Sequence, residues 1–281
     1  MILLLKLKGG YYMIQEHYIE TWSDFDKLVF NNSWNNEIKR HRTDFVFRGL
    51  SHDTYPLKPS LNRICDNKLY LEKALLRNFK KYSSLEIRDS NNFWEIVSLA
   101  QHHGLPTRLL DWSFSPYVAA HFATESFTHY NVDGAIWCID FVKCREFLPK
   151  NLKKILSDNM ANTFSIDMLK DEIKDFEFLE SLESNSDGFP LFFEPPSLDS
   201  RIINQYALFS VMSSSQHIIS DWLEDHNELG FKIIIRASAK LEIRDKLDQI
   251  NINERSIYPG IDGLCKWLCR HYTPTENIKT K

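Results

Sequence analysis

The chain has 281 residues, 43% hydrophobic and 13% aromatic, which excludes a disordered protein and allows one large domain or two small ones. Its formal net charge of −4 gives no overall attraction to nucleic acid or anionic membranes, although a local basic patch is compatible with it. The sequence lacks a C-x-x-C pair and any apolar run near the ~18 residues of a membrane span, so we expect a cytoplasmic protein without a metal or membrane partner.

Helical patterns dominate the first half. In chain order, helices are predicted in "YIETWSDFDKLVFNN", "YLEKALLRNFKKYSSL", "NNFWEIVSLAQHHG" and "SPYVAAHFATESF", with one short strand, "DFVFRG", after the first of them. Ser115 is a natural N-cap followed by proline, and Gly104 is a natural helix stop. The small residues Ala119, Ala120 and Ala123 allow another element to pack closely against the last helix.

Strands are more frequent in the second half. "GAIWCIDFV" and "FKIIIRA" are predicted strands, and "IINQYALFSVM" is predicted to be a strand or a strand with a turn. Residues from about 150 to 190 are expected to be helical and charged, with a mobile acidic loop. After "FKIIIRA", the stretch "AKLEIRDKLDQINI" is predicted to be a helix, and "SIYPGIDGLCKWLCRHY" a turn and a last helix. We predict a single α+β domain over residues 1–281, with a split mixed or antiparallel sheet flanked by helices.

Arg48 and Gly49 end the strand "DFVFRG". A guanidinium group fits a phosphate with two parallel hydrogen bonds, and a glycine lets a ligand approach the backbone. The alternative is a surface arginine followed by a turn. Arg63 in "KPSLNR" is a second cationic candidate, for which a loop ion pair is the alternative.

The segment "AQHHGLPTRLLDWSFSP", residues 100–116, concentrates polar and aromatic side chains in a turn-rich stretch. Loops of this kind often line sites. The alternative is structural: Arg108 and Asp111 form an ion pair, Trp112 lies in the core, and His102 binds a backbone carbonyl. Neither G-x-S-x-G, H-E-x-x-H, a P-loop nor G-x-G-x-x-G occurs, so the usual hydrolase, zinc and nucleotide motifs give no support.

The motifs "FRGL", "YPLKPSLNR", "AQHHGLPTRLLDWSFSPYVAAHFA", "RIINQYALF" and "SIYPGIDGL" resemble the FRG-domain family. A more distant resemblance is to the arginine-containing class of ADP-ribosyltransferases, in which an arginine grips NAD. There a second strand carries Ser-Thr-Ser ahead of Pro-x-Val-Ala-x-x-Phe, which "DWSFSPYVAAHF" follows. "NQYALF" lies where that class has its catalytic glutamate, so Asn204 or Gln205 stands in its place.

These resemblances imply an ADP-ribosyltransferase-like fold with NAD as substrate or ligand. Binding residues would be Arg48, Gly49, His102, Arg108, Trp112 and Ser113, and catalytic residues would be Gln205, Asp111 and His103. An amide at Gln205 can keep a hydrogen bond to ribose but supplies no negative charge, which Asp111 would have to provide.

Three functions remain open. The first is an ADP-ribosyltransferase or NAD glycohydrolase, implied by the family context to be a bacterial toxin or anti-phage effector that acts on an unknown protein or nucleic-acid acceptor. The second is a non-catalytic module that uses the same cleft to bind a nucleotide or a partner. The third is a nucleic-acid-directed enzyme with a lysine-rich face that includes Lys73, Lys80 and Lys81.

Overall fold

The structure is a computed structural model that describes residues 14–31, 33–64, 68–83, 92–183, 187–197 and 199–274. The amino-terminal "MILLLKLKGG", read as a first strand or a frayed tail, lies outside the described residues. Within the described part of the chain, none of the helices combines the length and the apolarity that a membrane crossing requires.

Eight of the described strands form one mixed sheet in the order β1-β10-β6-β4-β5-β9-β8-β7, and two short strands pair separately. The pairs β1–β10 and β7–β8 are parallel, and the other pairs in the sheet are antiparallel. The strands are β1 Gln15–Ile19, β2 Trp34–Asn35, β3 Arg40–His41, β4 Phe45–Leu50, β5 Leu110–Ser113, β6 Gly134–Asp140, β7 Phe164–Ser165, β8 Pro190–Glu194, β9 Ala207–Met212 and β10 Gly230–Ile235.

Helices flank both faces of this sheet, so the predicted α+β class with a mixed sheet is confirmed. They are α1 Trp22–Asn31, α2 Lys68–Tyr82, α3 Phe93–His102, α4 Pro116–Thr124, α5 Lys150–Asp158, α6 Ile166–Lys170, α7 Phe176–Ser181, α8 Ser200–Asn204, α9 Ile219–Asp225, α10 Lys240–Gln249, α11 Glu254–Ile257 and α12 Ile261–His271. Ser115 caps α4 by accepting from the Val118 N–H, and Gly104 follows α3 with a φ of +83°, as predicted.

The sheet is split at its centre. β4 pairs with β6 along its whole length, but its register with β5 is limited to Phe47 opposite Ser113. β5 in turn pairs along its length with β9. The two half-sheets β1-β10-β6-β4 and β5-β9-β8-β7 therefore diverge on either side of one narrow junction, and a cleft opens there.

Helix α4 lies directly on β4, and Gly49 makes this approach possible. A Cβ atom at Gly49 would lie 1.9 Å from the Ala119 carbonyl oxygen and 2.7 Å from the Ala123 N. The small residues of α4 therefore meet a strand, as their size predicted. Gly49 lies inside the strand rather than at a turn; the helix fills the side where a Cβ would point, while Gly49 also lines the cleft described below.

One segment differs from its predicted structure. "IINQ" forms the end of α8 rather than a strand, because Asp199 caps this helix by accepting from the Arg201 and Ile202 N–H groups. Residues 150–183 are largely helical, as expected, and their apolar side chains enter the core; the buried residues include Leu152, Leu156, Leu169 and Leu179. Residues 184–186 of the acidic loop lie outside the described residues, so its mobility stays a prediction.

Candidate functional site

A cleft of about 520 Å³ lies at the junction of β4 and β5. Its floor is formed by β4 and β5, and its walls by the loop 51–63, the end of α3, the end of α4, and the segment that joins α8 to β9. Its size lies in the range of small-molecule sites, roughly 300–1,000 Å³. The sequence predicted three of these segments, "FRGL", "AQHHGLPTRLLDWS" and "NQYALF", to form one site, and the structure brings them together.

Arg48 projects into this cleft from β4 with 18% of its side chain exposed. Its Nη1 donates to the Asp111 carbonyl oxygen at 2.6 Å and lies 3.5 Å from the Asp111 Oδ2. Burial lowers the pKa of Arg48, Asp111 opposes this effect, and Arg63 adds to it. An arginine starts so far above neutrality that it stays charged. Its buried Nε finds no hydrogen-bond acceptor among the described residues.

Asp111 is held by a short chain of hydrogen bonds. Its Oδ2 accepts from Gln101 Nε2 at 3.0 Å, and Gln101 Oε1 accepts from the buried Thr107 hydroxyl at 2.6 Å. The carboxylate is half-exposed, at 51%. Arg48 and Gln101 thus fix its position and partly balance its charge. The ion pair with Arg108, which was the structural alternative for Asp111, does not form; Asp111 contacts Arg48 instead.

Three further cations line the cleft, namely Lys58, Arg63 and Arg201. Arg63 donates Nε and Nη2 to the Lys58 carbonyl at 3.2 and 2.8 Å, which holds its guanidinium in place without an acidic partner among the described residues. Together with Arg48 they outnumber the lining carboxylates Asp111 and Glu125. The cleft therefore attracts anions.

Ser113 and Gln205 face each other across the junction of β5 and the α8–β9 segment. The Ser113 hydroxyl donates to the Gln205 carbonyl at 2.7 Å and accepts from the Ser115 N–H at 3.0 Å. Gln205 Nε2 donates to the Ile257 carbonyl at 3.2 Å. Both residues line the cleft, but these polar groups are already hydrogen-bonded to other parts of the protein. Neither supplies the negative charge of a catalytic glutamate.

His102 lines the cleft at the end of α3, where its Nε2 lies 2.6 Å from Asp199 Oδ2. Burial raises the pKa of Asp199, but the hydrogen bond from the Ile202 N–H and the nearby His102 outweigh this, so the net shift is downward. The contact ties α3 to the start of α8 and hence one wall of the cleft to the next.

Arg108, predicted to bind the ligand, lies outside the cleft. Its guanidinium is 3% exposed and binds Glu72 through Nε and Nη2 and Glu180 through Nη1. It also stacks 4.2 Å from the ring of Phe176. The spacing to Asp111 suggested a local pair, whereas the fold supplies two distant acids. Sequence spacing alone could not reveal them.

His103 and Trp112 are also placed differently from their predicted roles. His103 is exposed after the end of α3 and does not line the cleft. Trp112 borders the cleft but is 3% exposed, and its indole N–H donates to the Ser210 hydroxyl at 2.8 Å. A ring buried in this way cannot stack on a ligand without rearranging the core. Trp112 therefore lies in the core, as the structural alternative stated.

The residues that sequence reasoning missed are Lys58, Glu125 and Arg201. Lys58 belongs to the quoted motif "YPLKPSLNR", and Glu125 comes shortly after "SPYVAAHFA", so proximity to these motifs was the available signal. Arg201 begins "RIINQYALF". Nothing in the local pattern separated them from ordinary surface charges.

Comparison with known proteins gives one match. The model of the FRG domain family matches residues 43–131, which include β4, α3, β5, α4 and Glu125. The motifs "RIINQYALF" and "SIYPGIDGL" lie beyond the matched residues. No curated protein and no solved structure matches the chain significantly. Residues 43–131 of the chain therefore match the FRG domain family.

Proposed function

We propose that the cleft binds NAD or a closely related nucleotide and that Arg48 holds its diphosphate. One observation carries this proposal: Arg48, Lys58, Arg63 and Arg201 line one cleft of about 520 Å³. Guanidinium groups bind phosphate oxygens with two parallel, charge-assisted hydrogen bonds. Arg48 is well suited because the pairing of β4 with β6 and its bond to Asp111 fix its position before a ligand arrives.

The test is isothermal titration of the purified protein with NAD and with ADP-ribose. Arg48→Ala is expected to weaken both affinities at least tenfold, because a charge-assisted contact to the diphosphate is lost. Arg77→Ala is the matched control, since Arg77 is exposed on α2 and does not line the cleft. Equal affinities of wild type and Arg48→Ala would refute the proposal.

Whether the bound nucleotide reacts is a separate question. The enzymatic candidate is ADP-ribose transfer or NAD cleavage, in a cytoplasmic effector of the toxin or anti-phage type. The candidate without chemistry is a nucleotide-binding module, which is favoured by Gln205, whose amide is bonded to the Ile257 carbonyl and carries no charge. Incubation with NAD labelled in the nicotinamide ring separates them: released nicotinamide supports the enzyme, and saturable binding without release supports the module.

A cellular experiment addresses the effector role. Expression of the wild-type chain in a bacterial host is expected to slow growth and deplete NAD if the protein cleaves it. Arg48→Ala is expected to restore both, while Arg77→Ala is not. Slow growth with unchanged NAD would instead direct attention to transfer onto a cellular acceptor, protein or nucleic acid.

A further inference from the structure

Glu125 stands apart from the other charged groups of the cleft. It is the C-cap residue of α4 and lines the cleft with 34% of its side chain exposed. Within the described part of the chain, no lysine or arginine lies within ion-pair distance of it. Asp111, in contrast, lies against Arg48. Among the described residues, Glu125 is therefore the cleft carboxylate that forms no ion pair with a lysine or an arginine.

The fold holds this carboxylate by one oxygen. Glu125 Oε2 accepts from the Tyr258 hydroxyl at 3.0 Å and faces His121 Nε2 at 3.5 Å. Burial raises the pKa of Tyr258, and Glu125 itself adds to this, so the tyrosine stays a donor. None of the hydrogen bonds between described residues uses Oε1. That oxygen is left to accept from a ligand.

His121 is itself fixed from behind. Arg244 Nη1 lies 2.8 Å from His121 Nδ1, and an arginine can only donate, so Nδ1 must accept. Burial lowers the pKa of His121, Glu125 opposes this, and Arg244 adds to the lowering; the ring is thus neutral and carries its proton on Nε2, facing Glu125. Glu254 and Arg270 continue this buried network behind Arg244.

The position of Glu125 at the C-terminal end of α4 is electrostatically unfavourable for a carboxylate. A carboxylate at the C-terminal end of a helix meets the negative end of the helix dipole. A phosphate would also be repelled by it. A neutral group with hydroxyls, such as a sugar ring, can instead donate to a carboxylate oxygen. The cleft therefore offers cations that suit an anion and, in Glu125, a carboxylate that suits a hydroxyl-bearing group.

We propose that Glu125 binds the hydroxyls of a ribose ring through its Oε1, and that Tyr258 and His121 position it, so that the cleft selects sugar-bearing diphosphates over free diphosphate. This inference rests on the proposed nucleotide-binding function and names a specificity-determining residue for it. Gln205, the residue expected from the motif pattern, is not required for this contact, because its amide is bonded to Ile257.

The test compares NAD with inorganic pyrophosphate by isothermal titration. Glu125→Gln is expected to weaken NAD binding about tenfold, because an acceptor loses its charge, while pyrophosphate binding stays equal or becomes tighter. Arg48→Ala is expected to weaken both. Tyr258→Phe keeps the ring that Arg201 contacts at 5.3 Å but removes the hydroxyl, and is expected to weaken NAD about threefold and leave pyrophosphate unchanged.

The outcomes are distinguishable. If wild type binds NAD and Glu125→Gln binds it equally, or loses NAD and pyrophosphate in parallel, the role of Glu125 is refuted while nucleotide binding stands. If wild type does not bind NAD, the proposed function fails and the role of Glu125 fails with it. Should Glu125→Gln not fold, Glu125→Asp keeps the charge but withdraws the oxygens, and the same selective loss of NAD is expected.

Discussion

The guanidinium of Arg48 donates a 2.6 Å hydrogen bond to the backbone carbonyl of Asp111. This contact lies where β4 and β5 share only the Phe47–Ser113 pair, so a side chain takes over the role of a missing strand-to-strand hydrogen bond. The residue that is proposed to hold the ligand therefore also joins the two half-sheets.

Arg48→Lys is expected to lower the free energy of unfolding by about 1–2 kcal/mol. A lysine lacks the planar guanidinium with which Arg48 contacts the carbonyl and the carboxylate of Asp111. Urea denaturation monitored by tryptophan fluorescence measures this change. Arg77→Lys, at an exposed position of α2, is expected to change it by less than about 0.5 kcal/mol. Equal stability of Arg48→Lys and wild type would contradict the bridging role.

Gly49→Ala is expected to destabilise the fold by at least about 3 kcal/mol, because the new Cβ would lie 1.9 Å from the Ala119 carbonyl oxygen. Gly104→Ala is the matched control. Gly104 has a φ of +83° but no atom within 4 Å of an added Cβ, so its cost is only backbone strain, about 1 kcal/mol. Thermal unfolding of both variants would show the difference, and similar losses for the two would argue against the tight packing of α4 on β4.

Arg108→Met is expected to cost about 3–5 kcal/mol of stability, because it leaves the buried Glu72 without its partner. The double change Glu72→Gln with Arg108→Met is expected to recover part of this loss, since the unpaired charge is removed. NAD affinity of the folded double variant should equal that of wild type, because Arg108 lies outside the cleft. A parallel loss of NAD affinity would show that Arg108 contributes to ligand binding.

The buried Glu254 makes the free energy of unfolding depend on pH. Burial raises its pKa, but hydrogen bonds from Arg270 and the charges of Arg244 and Arg270 outweigh this and lower it from 4.5 to about 2. A carboxylate with a lowered pKa in the folded state stabilises above its unfolded pKa and loses this contribution as the pH falls. We expect a loss of about 3 kcal/mol between pH 4.5 and pH 2.

Urea titrations of wild type and Glu254→Gln across this range isolate the effect. The difference in unfolding free energy between them should shrink as the pH falls toward 2. The exposed Glu37→Gln provides the comparison, because Glu37 forms no ion pair among the described residues. A constant difference for Glu254→Gln would show that the carboxylate is not stabilised by Arg244 and Arg270.

The sequence by itself determined the local elements and the three motifs that meet in the cleft. Apolar periodicity predicted α2, α3 and α4, and the strand pattern predicted β4 and β6, because each of these signals depends only on neighbouring residues. Ser115 and Gly104 were recognisable as a cap and a stop for the same reason. Arg48 was recognisable as a cation on a predicted strand, although β4 continues past it to Leu50.

Only the tertiary structure decided the partners of the charged side chains. Arg108 lies three residues from Asp111 but binds Glu72 and Glu180, and Asp111 instead meets Arg48 from another strand. Glu125 became a candidate when the fold placed Tyr258, which lies 133 positions away in the chain, against it. Ion pairs and hydrogen bonds are short-ranged in space but not in sequence, so a local pattern cannot specify them.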